Sequence, residues 1–266
     1  MPLELMRFDM LMPAFALVLA RVAGLVLAVP MLSSRQIPRI IKLWLVVTLS
    51  LMAFPVVTPY LPTSLSFGQA AVGMMGEFII GEILGIGAGM VFFAAQLAGK
   101  MISHQSGMAL GTVFNPVFES QSTVLDQLWF FTILMMFLAL RGHIAVVTVL
   151  IDSFKTLPPL SVYFDKALGE FLITILRNMF ELGLRLGGPA ILALLLTSLI
   201  LGFLTKTMPQ LNILSVGFSF KIVTALFVMG LTLPFSQEWV SDSLFDGLDY
   251  VGLVFEDLSE SVIHGG

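Results

Sequence analysis

Residues 186–235 read LGGPAILALLLTSLILGFLTKTMPQLNILSVGFSFKIVTALFVMGLTLPF. Two apolar runs flank one short break, and each approaches the roughly 20 residues that cross the hydrocarbon core of a bilayer at about 1.5 Å of rise per residue. The first run, 186–205, holds no charged side chain, and the second, 211–235, holds only Lys221. The break at 206–210 brings the two runs back against each other, which predicts a hydrophobic helical hairpin with Pro209, Gln210 and Asn212 at its turn. Gly187-Gly188-Pro189 predicts a kink where the first run begins.

The rest of the chain has the same character. Of 266 residues, 58% are hydrophobic and 11% charged, against about 25% charged in an average soluble domain. Thirteen basic and 17 acidic side chains cannot coat a soluble surface, and a mean hydropathy of +1.00 excludes disorder. The fold class is therefore all-α, built of apolar helices whose solvent is lipid or other apolar protein. Cysteine is absent, which removes disulfides, thiolate metal sites and cysteine nucleophiles, and His104, His143 and His264 make no metal-ligand spacing. Neither a metal nor a cofactor is expected. No Walker loop, nucleophile elbow or dinucleotide fingerprint occurs; Gly85, Gly87 and Gly89 form a G-x-G-x-G only inside a helical run, without the strand a phosphate loop needs. The chain does not read as an enzyme.

Charge is unevenly placed. From Glu238 onward there are seven acidic residues and no Lys or Arg, leaving 13 basic and 10 acidic before it. Val240, Leu244, Leu248, Val251, Phe255, Leu258 and Val262 recur there at helix spacing, opposed by Asp242, Asp246, Asp249, Asp257 and Glu260. The chain thus divides into a hydrophobic helical body, 1–237, and an acidic amphipathic tail, 238–266, which anionic lipid repels and which fits a protein partner better. Nucleic acid is not an expected ligand, because no basic patch exists.

Toward the N-terminus, 10–32 is a retained first helix and not a cleaved signal, with Arg21 near its middle. A helix at 43–57, a turn carrying Pro59 and Pro62, and a long helix from Phe67 to about Gly99 follow. Further helices fall at 125–140, 144–151 and 167–186, the last with Glu170, Arg177, Glu181 and Arg185 on one face. Arg35, Arg39 and Lys42 favour a cytoplasmic first loop.

Three features are candidates for function. Gly73, Gly81, Gly85 and Gly89 form a ridge shared by Glu77, at a spacing that lets a neighbouring backbone approach; tight packing is the plain reading of it. Arg21, Glu77, Glu82 and Lys221 sit in apolar stretches, where a charge costs about 2.5–3.5 kcal/mol on insertion scales unless it meets protein or water. Such charges belong to a translocation route or an assembly interface, or they pair within the chain, Arg21 with a Glu. The third is 104–122, HQSGMALGTVFNPVFESQS, where Gly107, Gly111, Asn115 and Pro116 interrupt any helix. It is either an ordinary surface loop or a re-entrant, plug-like one, since irregular backbone at membrane depth is tolerated only when buried or lining a cavity.

Gly81-Glu82 with Gly85, Ala98-Gly99, Gln105-Ser106-Gly107, Pro116, Gly142-His143, Ser153-Phe154 with Pro158, Pro189, and Pro209-Gln210-Leu211-Asn212 followed by Gly217-Phe218 and Lys221 occur in an order that resembles the FliR family. These are inner-membrane components of the flagellar type III export apparatus, similar to a component of virulence secretion systems. The resemblance runs from about Arg21 to Gly230 and implies helical hairpins packed, with FliP and FliQ, into a helical export gate contacted by FlhB and embedded in membrane lipid at the flagellar basal body. It implies that unfolded flagellar substrates pass through the gate, that helices stand partly out of the bilayer, and that the interrupted segment plugs the channel, with Gln105, Gly107, Gly111, Phe114, Asn115, Pro116 and Phe118 as its gating residues. The competing reading is an autonomous secondary transporter coupling through Glu77, Glu82 and Lys221, which would call for internal repeats.

Overall fold

The computed structural model describes residues 2–34, 37–61, 67–109, 123–160, 166–208 and 213–264. Among them every regular element is helical. They are α1 (Pro2–Ala28), α2 (Pro30–Ser33), α3 (Arg39–Val57), a 3-10 turn (Thr58–Tyr60), α4 (Phe67–Ser106), α5 (Val124–Ala139), α6 (Gly142–Thr156), α7 (Lys166–Thr207) and α8 (Ile213–His264). The all-α expectation holds, and so do the proline-bearing turn after Val57 and the break at Arg141, which stands in the left-handed region at φ 58°.

The helices are longer than the apolar windows predicted. The segments expected at 167–186 and 186–205 are one helix of 42 residues that carries Pro189 inside it, and the second hairpin run and the acidic tail are one helix of 52 residues through Pro234. Proline removes one backbone donor and crowds the carbonyl four residues back, yet apolar helices packed among others absorb that loss without ending. The change of composition at Glu238 therefore falls within α8. At about 1.5 Å per residue, α7 and α8 extend for roughly 60 and 80 Å, twice or more a hydrocarbon core of about 30 Å.

Hydroxyls inside these helices serve their own backbone. Thr197, Ser198, Thr224 and Thr232 donate to the carbonyls of Ala193, Leu194, Phe220 and Val228, at 2.8, 2.7, 2.9 and 2.5 Å. Such residues make no demand on a partner and do not lower the apolar character of the surface.

Two compact units are built from interleaved stretches: 1–90, 141–176 and 244–266 form the first, and 91–140 with 177–243 the second. In the first, α1 packs on α3, and α3 on α6. The tail half of α8 lays its apolar stripe inward here: Leu244, Leu248, Val251 and Phe255 are buried, with Val251 facing Gly87 and Gly247 facing Met90 of α4. The apolar face expected to seek a partner thus finds one in its own chain, while Asp242, Asp246, Asp249 and Asp257 are exposed. The Phe171 ring stacks on Tyr250 at 6.0 Å, and the Tyr250 hydroxyl donates to Thr174 Oγ1 at 3.2 Å.

In the second unit Phe92 meets Phe130 and Phe137, with ring centroids 5.7 and 5.2 Å away, and Trp129, Ile133 and Phe137 of α5 are buried. Gly183 and Gly187 of α7 lie against Leu97 and Ala98 of α4.

Among the described residues, four helical stretches are long and apolar enough to cross a membrane: Arg39–Tyr60, Gly68–Ser106, Leu168–Thr207 and Val216–Leu258. They differ in what surrounds them. The apolar window of Gly68–Ser106 is 72% buried within the chain, whereas those of the other three are 17–28% buried. Those three turn Trp44, Met52, Leu192, Phe203, Val223 and Phe227 outward, each more than half exposed. An apolar surface this continuous belongs against lipid or other apolar protein.

Candidate functional site: a buried ion pair and a bonded loop base

The first unit holds a charged pair with no access to solvent. Arg21 and Glu77 are both 0% exposed, on α1 and α4. The Arg21 Nε donates to Glu77 Oε2 at 2.7 Å, and one terminal nitrogen stands 2.6 Å from the same oxygen. The rest of the guanidinium fork is also engaged. It donates to the Ser153 carbonyl at 2.9 Å, the Ser153 hydroxyl at 3.0 Å and the Leu157 carbonyl at 3.0 Å, while the Phe154 ring lies 4.0 Å from Cζ. The second carboxylate oxygen of Glu77 accepts from the Leu160 N–H at 3.2 Å.

The chemistry explains the geometry. The last carbonyls of a helix have no intrahelical donor, and a cation at that end is favoured by the helix dipole. Arg21 supplies a donor to the Leu157 carbonyl just past the end of α6, adds a second to the Ser153 carbonyl that already accepts from Leu157 N–H, and brings the charge, while Glu77 anchors the turn that follows, where Leu160 takes φ 74°. Close approach of α1 and α4 makes this possible. A methyl group at Gly81 would run into the Arg21 carbonyl and one at Gly24 into the Phe78 carbonyl, and one at Gly85 would stand 2.5 Å from the Ala28 Cβ. At Gly73 a methyl group would strike the Leu160 side chain. Gly89 is buried on the same helix.

Of the four candidate charges, then, two meet each other inside the chain and two do not join them. Glu82 and Lys221 are half-buried, and among the described residues neither has a hydrogen-bond or ion-pair partner. Arg185 and Glu181 of the predicted stripe pair at 2.6 Å with both side chains about half exposed.

The second unit holds the base of the interrupted segment. Gln105 is the penultimate residue of α4, and Gly107 follows the helix with φ 86°, its open face covered by the Phe218 ring of α8. Gly111, Phe114, Asn115, Pro116 and Phe118 lie outside the described residues, as do Pro209, Gln210 and Asn212 of the expected turn. The returning end is tied down. Thr123 caps α5 in a reciprocal box: its N–H donates to Asp126 Oδ2 at 2.9 Å, and the Asp126 N–H donates to Thr123 Oγ1 at 3.4 Å. Ser103, on the last turn of α4, donates to Asp126 Oδ1 at 2.9 Å and also hydrogen-bonds the Thr123 hydroxyl. A methyl group at Gly99 would stand 2.6 Å from the Asp126 Cα, so α4 and α5 touch backbone to backbone beside the network.

Sequence reading named Ser153 only among the residues of the resemblance, without this role, and missed Leu157 and Leu160, whose parts are played by backbone atoms that leave no residue-type signal. It also missed Ser103, Thr123 and Asp126. The T-x-x-D spacing ahead of an apolar run is a recognisable helix start, so that half of the network could have been found.

The fold and these two sites define an all-helical membrane protein, with a bonded charge pair and a hydroxyl–carboxyl network inside it and its apolar surface turned outward, and with no catalytic constellation among the residues of either site. The chain belongs to the family described as Bacterial export proteins, family 1, which matches residues 12–246. It is 30% identical over 247 residues to the Flagellar biosynthetic protein FliR of Pectobacterium carotovorum subsp. carotovorum, a match covering 91% of this chain and 92% of that one. The Flagellar biosynthetic protein FliR of Escherichia coli (strain K12) is 31% identical over 224 residues, 81% of this chain and 82% of its own. A Secretion system apparatus protein, SsaT of Salmonella typhimurium, is 26% identical over 162 residues, 60% of this chain and 62% of its own.

Proposed function

We propose that this chain is a non-enzymatic subunit of the flagellar type III export gate in the bacterial inner membrane, housed in the flagellar basal body. It assembles there with FliP and FliQ, contacts FlhB, and helps form and gate the channel for unfolded flagellar substrates. The observation that carries this reading is the end-to-end likeness to two flagellar biosynthetic relatives, each matched over more than four-fifths of both chains. The outward apolar faces of α3, α7 and α8 support it as well, since a subunit of a larger membrane assembly presents such faces to its neighbours.

In this reading residues 105–122 are the plug, with Gln105, Gly107, Gly111, Phe114, Asn115, Pro116 and Phe118 obstructing the resting channel. Glu82 and Lys221, half-buried and without a partner among the described residues, meet neighbouring subunits. The body is 1–237, and the acidic face of 238–266 is a docking surface. An autonomous transporter has less support, because Glu77, one of its three coupling groups, is held by Arg21.

Shortening 107–120 in cells that also express the partner subunits should leave assembly intact and make the membrane leaky to small ions. A tight membrane with complexes still formed would refute the gating role. Co-purification that fails to recover FliP and FliQ would refute the assembly.

A further inference from the structure

We infer that the open groove between α1 and α4 seats an apolar transmembrane helix of a co-assembled subunit, and that this helix carries one Lys or Arg for Glu82, a step that rests on the export-gate reading above.

Two helices in contact leave a groove along each flank, and α1 and α4 are held close by Gly24, Gly81 and Gly85. One flank is filled. The end of α6 lies there, where Arg21 and Glu77 meet each other and the groups of Ser153, Leu157 and Leu160. The other flank is open, a groove of about 500 Å³ whose walls include Ala20 and Ala23 of α1 and Ala71, Met75, Phe78 and Ile79 of α4. Every side chain lining it is apolar. Met75 is 72% exposed there, on the helix that is otherwise the most enclosed of the four long apolar stretches.

Glu82 stands at one end of this groove. It is five residues past Glu77, roughly 140° further round the helix. It is also three and four residues past Ile79 and Phe78, which puts it on the groove face. Helical side chains lean toward the N-terminal end of their helix, so Glu82 leans over that turn. It is half-buried and, among the described residues, has no hydrogen-bond or ion-pair partner. The two carboxylates of α4 thus differ in one respect: Glu77 finds its cation within the first unit, and Glu82 has an apolar groove in front of it instead.

Charge complementarity selects the occupant. An acyl chain would match the walls but leave a carboxylate bare in hydrocarbon, and from the middle of α4 a Glu side chain is too short to reach the headgroups. An apolar helix with one basic residue satisfies both, its larger side chains entering over the three alanines and its cation meeting Glu82.

Glu82→Gln keeps the shape and removes the charge. In cells co-expressing the partner subunits, it should lower their recovery per tagged chain by about tenfold or more, the loss that follows when one member of a desolvated charge pair is removed. A photo-crosslinking amino acid in place of Met75 should join the chain to another subunit, at an apolar helix with a Lys or Arg within about two turns of the adduct, read by mass spectrometry. Glu82→Lys should be rescued by replacing that basic residue with Glu, as a merely misfolded chain would not be. Full recovery of partners by Glu82→Gln overturns the inference, and so does a Met75 adduct made only to lipid or to a second copy of this chain. If bulk at Met75 blocks assembly, Glu82→Gln decides alone. The wild-type chain separates the two readings. If it recovers no partner, the export-gate reading falls and the groove's occupant with it; if it recovers them and Met75 gives no adduct to a subunit, only the occupant is wrong.

Discussion

Removing the Glu77 carboxylate tests whether the buried charges hold the fold or carry the transport chemistry. In Glu77→Ala, Arg21 keeps its contacts to Ser153 and Leu157 but loses the counter-ion at 2.6–2.7 Å, with both side chains sealed from water. Breaking a buried pair by deleting one partner destabilises by about 3–5 kcal/mol, because a full charge is left uncompensated. The Leu160 N–H loses its acceptor in the same step, and the turn at φ 74° loses the contact that holds it. For a chain of this size each kcal/mol moves the melting temperature by about 2–4 °C, so the purified complex should melt about 6–20 °C lower. Arg21→Met should be at least as damaging, since it strips donors from two carbonyls and a hydroxyl as well as from Glu77. The double variant Arg21→Met with Glu77→Leu should be milder than the sum of the singles by about 1.5 kcal/mol or more, the signature of direct coupling. A Glu77→Ala complex that melts within about 2 °C of wild type yet has lost export would refute the argument, and would place Glu77 in the transport route.

Further outcomes follow from the packing. Gly81→Ala should lower the melting temperature by an amount corresponding to about 1–3 kcal/mol, because the new methyl group meets the Arg21 carbonyl, whereas Gly188→Ala, with nothing within 4 Å, should leave it unchanged or raise it slightly by favouring helix. Glu181→Gln should change stability by less than about 1 kcal/mol in the same measurement, as expected of a pair half open to its surroundings. Truncation after Ser241 should abolish accumulation of the chain, read by immunoblot of membranes, since Leu244, Leu248, Val251 and Phe255 go with it; normal levels would show that the tail is an appendage. Replacing Asp242, Asp246 and Asp249 by Asn should leave those levels intact, because these three are exposed, and should weaken recovery of partners on co-purification if that face docks them.

Composition and periodicity alone determine much here. An apolar chain with few charges, long uncharged runs and no alternating pattern has only helices available to satisfy its backbone in lipid. Stretch by stretch, the starts and stops at Phe67, Val124 and Gly142 were readable to within a few residues. The stripe from Val240 to Leu258 announced its buried face, and the glycine spacing announced a close approach.

What the chain could not announce is which neighbour each face would meet. Pro189 read as a kink between two segments, and only packing decided that one helix continues through it, as another does through Pro234. Arg21 and Glu77 are 56 positions apart, and their other partners are mainly backbone groups near residues 153–160 that any sequence would possess. A charge in an apolar run signals that something must compensate it, but whether that is a neighbour in the chain, a second subunit or a water-filled path depends on distances, and distances belong to the tertiary fold. For Arg21 the compensation is internal, so the most conspicuous charge in the sequence marks a structural joint, while the inconspicuous Ser103, Thr123 and Asp126 tie the end of α4 to the start of α5.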